Sequence, residues 1–246
     1  MCWFRKNQSW FSKDRIQVER DFPRLHFYIF KDSILILRGS IDLNAEETSA
    51  DSYEIQIIFP PEYPSEIPFV RETAGRILRI PDRHIYAKEG FFCIGPRLAI
   101  KESWDKNHSI VRFLNEFVIP FLANQSYYER MGEWKNGDYD HGKKGILQYY
   151  RERFNINDEK ELMLILNNIV SGVKVGRNDR CFCESGKKAK KCHLDITQDL
   201  QRLGHRNIFL EDIKNLLGDS KTSENQDKQA ADITTAPTTA STKLAP

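Results

Sequence analysis

The sequence predicts an α+β protein: an antiparallel four-stranded meander packed on helices, followed by a small zinc-binding module and a disordered tail. Three observations carry this. Apolar residues alternate at every second position over residues 25–29 and again over 53–59, the spacing of strands with one buried face. They return at helical spacing from Ile110 onward. Three cysteines and a histidine then fall within thirteen positions, 181 to 193.

The 246 residues, 40% hydrophobic and 29% charged, suffice for one domain with an appendage or for two small domains. Lys and Arg number 37 against 35 Asp and Glu, a balance without the basic excess of a dedicated nucleic-acid binder. No run of about 18 apolar residues occurs, and the N-terminal MCWFRKNQSWFSKDR carries charges where a signal peptide needs an apolar core. A cytoplasmic chain with no membrane partner is the expectation. In that reducing compartment an odd count of 5 cysteines points to metal or catalytic thiols rather than disulfides.

Leu25, Phe27 and Ile29 alternate, as do Tyr53, Ile55, Ile57 and Phe59. Between them SILILRGSIDL reads as a more fully buried strand, with Gly39 at a bulge or bend. The prolines of FPPEYPSEIPFV lack the ladder N–H and fix φ, so the sheet gives way to a rigid loop near Pro60. Residues 76–103 keep no period, yet hold Ile77, Leu78, Ile80, Ile85, Phe91, Phe92 and Ile94, and a long irregular stretch that is still apolar is characteristically functional. Ile110, Phe113, Leu114, Phe117, Val118 and Phe121 form a helical stripe, with Asn107 or Ser109 as N-cap and Pro120 near its end. A second helix, NDEKELMLILNNIV, capped by Asn157, is expected to link two modules over residues 156–171. A further helix runs through Leu200, Leu203, Phe209, Ile213 and Leu216. Residues 219–246 have almost nothing to bury and are expected to be disordered.

Cys181, Cys183, Cys192 and His193 make C-x-C, eight intervening residues, then C-H. Tetrahedral zinc takes four N/S ligands, and a structural site draws all of them from protein. The spacer has Ser185-Gly186 to double the chain back and four lysines to offset the thiolate charge. One zinc ion bound so contributes on the order of 10–16 kcal/mol in small fingers, enough to fold a segment with little core. The run GRNDRCFCESGKKAKKCH resembles the SEC-C zinc-binding motif found at the C-terminus of the SecA translocation ATPase. It departs from that motif at Arg180, Phe182 and Glu184, where proline, proline and glycine are usual, with every ligand position intact. The resemblance implies that residues 172–218 dock proteins or other macromolecules and perform no chemistry.

Cys93 stands apart, in RHIYAKEGFFCIGPRLAI. A buried free cysteine is commonly an inert small hydrophobe. Here, however, Gly90 and Gly95-Pro96 turn the chain on either side and His84 lies nine residues upstream. The order of YEIQIIFPPEYPSEIP, Arg83-His84-Ile85, Gly90-Phe91-Phe92-Cys93, Trp104 and SIVRFLNEFVIPFL resembles the ubiquitin-conjugating (UBC-like) fold over about residues 8–150, within a domain drawn at 1–155. That resemblance implies Cys93 as the active-site cysteine. Conventional members carry H-P-N upstream, whose asparagine supports the oxyanion; Ile85 occupies that spacing here, and His84 is one residue from the family's position. Trp104 reads as core. The segment GEWKNGDYDHGKKGILQYYRE is similar to prokaryotic relatives, some encoded beside cyclic-oligonucleotide anti-phage nucleotidyltransferases, and makes His141 a second assisting candidate.

The implied chemistry is acyl transfer: a protein C-terminus accepted as a thioester on Cys93 and passed to an amine or thiol. With no phosphate-binding G-x-x-x-x-G-K-[ST] in the chain, a separate activating enzyme is expected to adenylate that carboxylate. The nucleotidyltransferase is the acyl partner that the resemblance suggests. Two alternatives stay open: a non-catalytic adaptor docking through the zinc module, and a Cys–His deconjugating protease using His84, His108 or His141.

Overall fold

The computed structural model describes residues 3–6, 8–43, 51–106, 108–135, 142–203, 205–218 and 242–243. These residues fall into two compact units, one within Met1–Ile94, Ser103–Asp138 and Gln226–Pro246, the other within Gly95–Glu102 and Tyr139–Asn225. The division after residue 138 precedes the boundary expected at 155.

In the first unit α1 (Trp3–Lys6) and α2 (Gln8–Asp21) lead into β1 (Leu25–Phe30), β2 (Ile34–Leu43), β3 (Asp51–Ile58) and β4 (Phe69–Glu72). The four strands form the expected antiparallel meander. Alternation puts Leu25, Phe27, Leu35, Leu37, Ile55 and Ile57 on one face, in a core shared with Phe113, Leu114, Val118 and Leu122. Trp104 belongs to that core, at 1% exposure, and its indole N–H donates to the Pro64 carbonyl at 2.7 Å. Gly39 makes no bulge: it keeps register with Leu25 and Ile55, at φ 147°. It is required because a Cβ there would lie 1.9 Å from the Arg24 carbonyl oxygen.

One helical expectation changes in this unit. The helix from Ile110 does not stop near Pro120. It continues through a π turn: after α3 (Arg97–Lys106), α4 (Ile110–Phe113) passes by way of Leu114–Val118 into α5 (Ile119–Met131). The Ile119 N–H bonds back five residues to Leu114, and Pro120, with no N–H to place, fits the first turn that follows. Ser109 caps α4, accepting from the Arg112 N–H at 3.4 Å, and buried Asp14 of α2 accepts from the Ile110 N–H at 2.8 Å. Asn107 lies outside the described residues.

Of the tail expected to be disordered, Thr242 and Lys243 form β5, pairing antiparallel with Ile29 and Tyr28. An edge strand presents unpaired N–H and C=O groups that an extended segment can satisfy whatever its side chains. The other tail residues lie outside the described set.

The second unit is helical. It holds α6 (Gly142–Phe154), which the sequence did not announce, and α7 (Glu159–Ser171). Two helices, α8 (Leu194–Leu203) and α9 (Arg206–Leu217), stand where one was expected. The helix expected as a bridge is a core element: Leu162, Ile165, Leu166 and Ile169 pack with Tyr150, Leu200, Phe209 and Ile213. Its cap is Asp158, accepting from the Glu161 N–H at 2.9 Å, rather than Asn157, whose amide donates to the Asn155 carbonyl at 3.3 Å. No helix among the described residues is long and apolar enough to cross a membrane.

Within this core the Tyr150 hydroxyl donates to Asp212 at 2.8 Å. Burial pushes the Asp212 carboxyl up to about 7. Because the folded value lies above the unfolded one, the folded state holds a proton that the unfolded chain releases. The associated stability is complete below about pH 4 and is lost as pH rises through 7. Asp212→Asn is therefore expected to narrow the stability difference between pH 5 and pH 8 by about 2–3 kcal/mol in urea denaturation.

Candidate functional site

The four ligand residues converge because the chain between them closes on itself. Arg180 bridges to Lys188, and the Cys181 N–H donates to the Lys187 carbonyl at 2.9 Å. Left-handed backbone at Glu184 (φ 58°) and Gly186 (φ 74°) makes the reversal. Upstream, the Gly176 N–H donates to the Asp179 carboxylate at 2.8 Å and fixes the approach. A short 3-10 turn, Ala189–Lys191, delivers Cys192 and His193 at the threshold of α8.

The ligand atoms of Cys181, Cys183, Cys192 and His193 all lie within 4.8 Å of one another. His193 Nδ1 is 3.4 Å from Cys181 Sγ and 3.5 Å from Cys192 Sγ, and Cys183 Sγ is 3.5 Å from Cys192 Sγ. A tetrahedral shell with metal–sulfur bonds of about 2.3 Å and metal–nitrogen bonds of about 2.0 Å has edges of roughly 3.5–3.8 Å. The residues therefore fit one metal ion, with Nδ1 as the histidine donor. Burial pushes the Cys183 thiol up, but hydrogen bonding to Ser185, Cys192 and Cys181 together outweighs it and brings the thiol down to about 6. Behind the shell the Phe182 ring stacks on the imidazole at 5.6 Å, and His193 Nε2 lies 2.7 Å from a Glu161 carboxylate oxygen on α7.

The second candidate lies in the first unit. After β4 the chain makes a 3-10 turn at Pro81–Arg83 and places His84 in the left-handed region, φ 51°. The Cys93 N–H donates to the His84 carbonyl at 2.7 Å, and Ile85 pairs antiparallel with Phe92. Residues 84 and 93 thus stand opposite each other in this backbone pairing. Phe92 ties this pairing to the sheet by donating to the Val70 carbonyl at 2.8 Å. Gly90, at φ 74°, closes the turn by donating to the Tyr86 carbonyl at 2.8 Å. Cys93 is half-buried; His84 is buried, its ring edge-on to Trp134 at 5.5 Å.

The segment is anchored by residues that the sequence did not single out. Arg83 donates from Nε to the Gln125 carboxamide oxygen at 2.8 Å, and Gln125 Nε2 returns a bond to the Arg83 carbonyl at 2.8 Å. The guanidinium also sits over Tyr128, 4.6 Å from its centroid. Ile85 is buried in the core, so no polar side chain takes the asparagine spacing. The His108 ring lies tilted against Trp104, centroids 5.4 Å apart, and pairs with Asp105 at 3.7 Å. His141 lies outside the described residues.

Comparison with known proteins addresses the metal-binding segment. Residues 177–195 match the SEC-C motif. The chain carries that motif. It is 52% identical over 50 residues to a UPF0225 protein of Vibrio vulnificus (strain CMCP6), covering 20% of this chain and 30% of that protein. A UPF0225 protein of Vibrio parahaemolyticus serotype O3:K6 is 48% identical over the same length and coverage, 50 residues, 20% and 30%. Protein translocase subunit SecA of Koribacter versatilis is 78% identical over 23 residues, 9% of this chain and 2% of SecA. The chain thus spans 30% or less of the length of these relatives. No solved structure matches it.

Elemental analysis of the purified chain is expected to find one metal ion, lost in Cys192→Ser and retained in Cys93→Ala. Removal of the metal by Cys93→Ala would refute the separation of the two sites. A second substitution tests the turn: Glu184 occupies backbone that costs an L-residue roughly 1–2 kcal/mol. Glu184→Gly is expected to raise stability by about 0.5–1 kcal/mol in thermal unfolding, since glycine gives back part of the gain as chain entropy.

Proposed function

We propose that the chain is a UBC-like acyl carrier that accepts the activated C-terminus of a protein on Cys93. The observation that carries this reading is the pairing of the Cys93 segment with the His84 segment, immediately after the fourth strand of a meander that packs on helices. The order of helix, meander, cysteine-bearing irregular segment and helix supports it. So does the partial accessibility of Cys93.

In the proposed reaction the Cys93 thiolate attacks the carbonyl carbon of an activated C-terminus supplied by a separate activating enzyme. The new C–S bond forms as the bond to the activating group breaks, and that group leaves with the electron pair. An amine or a second thiol then attacks the thioester carbonyl, Cys93 leaves as thiolate, and the nucleophile's proton passes to solvent or to a neighbouring base. His84 is the assisting group within this segment. Ile85, apolar and buried, supplies no hydrogen bond to the oxyanion, so discharge to lysine is slow and the thioester accumulates. The metal centre holds zinc as a closed structural site and makes the second unit a docking module. The acyl partner is the C-terminus of a nucleotidyltransferase of a cyclic-oligonucleotide anti-phage system.

Coexpression with the nucleotidyltransferase and an activating enzyme tests this. Mass spectrometry is expected to place on Cys93 an adduct cleaved by hydroxylamine or thiol. Cys93→Ser is expected to give a thiol-resistant oxyester or none, because an alkoxide is a far poorer leaving group than a thiolate. His84→Ala slows formation at least tenfold while the domain stays folded. The buried Ile85 at the asparagine spacing favours a second reading, a non-catalytic adaptor, and absence of any adduct with every partner present would establish it over the first.

A further inference from the structure

The SEC-C match ends at residue 195 and begins at 177, yet the hydrogen-bond partner of its histidine lies outside it. Glu161 is 32 residues from His193 in sequence, on the first turn of α7, and its Oε1 lies 2.7 Å from His193 Nε2. With Nδ1 facing the sulfurs at 3.4 and 3.5 Å, the imidazole has one nitrogen for a metal and the other for this carboxylate. Neutral imidazole that gives Nδ1 to a metal carries its proton on Nε2, where a carboxylate can accept it. A carboxylate in that position fixes the tautomer, orients the ring and makes the metal-bound nitrogen more basic.

We propose that Glu161 is the outer-sphere partner of the metal centre, a positioning residue that latches α7 to the ligand loop. This rests on the metal-site reading above. The His193 side chain is 14% exposed and Glu161 38%, so the bond is only partly shielded and is selected by geometry rather than enforced by burial. Phe182 covers the ring from the loop itself. The Glu161 carboxylate holds the imidazole from the helix, and α7 carries Leu162, Ile165 and Leu166 into the core of the second unit. Metal binding then stabilises more than the ligand loop. It draws on a helix whose apolar stripe organises the unit, so metal loss loosens the packing of α7.

The alternative role for Glu161 is purely helical. An acid in the first turn of a helix stabilises it by about 0.3–1 kcal/mol through the dipole, with or without metal. Two measurements on the full-length chain separate these roles. Zinc affinity, read by competition with a chromophoric chelator, is expected to fall 10–100-fold in Glu161→Ala and less in Glu161→Gln, which keeps an acceptor oxygen but no charge. Thermal unfolding is expected to show a larger drop for Glu161→Ala in the zinc-loaded chain than in the chelator-stripped chain. Affinities of both variants within twofold of the parent, or equal drops in loaded and stripped chains, would overturn the proposal and leave the helical role. If Glu161→Ala does not fold, the Glu161→Gln comparison decides by the same criteria. Failure of the parent chain to bind zinc would instead strike at the metal-site reading itself.

Discussion

Arg83 is taken out of water, and a buried guanidinium has to keep its hydrogen bonds. Gln125 satisfies Nε and, from the same side chain, donates to the Arg83 carbonyl, so one carboxamide holds both the side chain and the backbone of the residue before His84. Glu129, one turn further along α5, lies 3.4 Å from the same guanidinium and bonds Arg76 at 2.7 Å. The irregular segment after β4 is therefore pinned to α5 at two arginines. Between those pins and the bond from Phe92 to Val70, the chain has little choice but to set residue 93 opposite residue 84. Core burial alone would not achieve this, because hydrophobic contact is non-directional.

The second unit answers a different version of the same constraint. Asp212 enters its core with a tyrosine hydroxyl as partner, and Asp158 turns its carboxylate onto the exposed amides of α7. The stretch from Gly176 to His193 has almost no core of its own: within it Cys181 and Ala189 are the buried apolar residues. Its order comes from backbone bonds around the reversal and from the convergence of three sulfurs and one imidazole nitrogen. A bound cation would turn that crowding of sulfurs into a source of folding energy.

What was legible in the sequence followed from periodicity and spacing. Period two marks β1 and β3, because each has a buried face, a continuous apolar run marks β2, and C-x-C…C-H marks the four ligands, because tetrahedral coordination demands four. What was not legible depends on distant chain. Gly39 reads as a bulge in isolation, and only the approach of the Arg24 carbonyl shows why the side chain is missing. Pro120 reads as a stop, since the preceding π turn that accommodates it leaves no local mark. Asp158 outcompetes Asn157 as cap by one residue, a margin that pattern reading does not resolve. Arg83, Gln125 and Glu161 are ordinary surface-type residues until tertiary structure places them, Glu161 in particular being indistinguishable from any acid in a first helical turn.

The backbone donors around Cys93 bear on what the proposed site can do. Acyl transfer generates an oxyanion, and preorganised N–H groups aimed at it are worth about 10²–10³ each in rate. The Cys93 N–H is bonded to His84, the Phe92 N–H to Val70 and the Gly90 N–H to Tyr86, at 2.7, 2.8 and 2.8 Å. These groups build the segment and are spent in doing so. Ile85, apolar at the asparagine spacing, adds no amide donor from its own side chain. On the acyl-carrier reading, the same hydrogen bonds that set Cys93 in place withhold catalysis of the second step. Such a site suits retention of a thioester better than rapid transfer to lysine, and rapid transfer would then require donors brought by the partner protein.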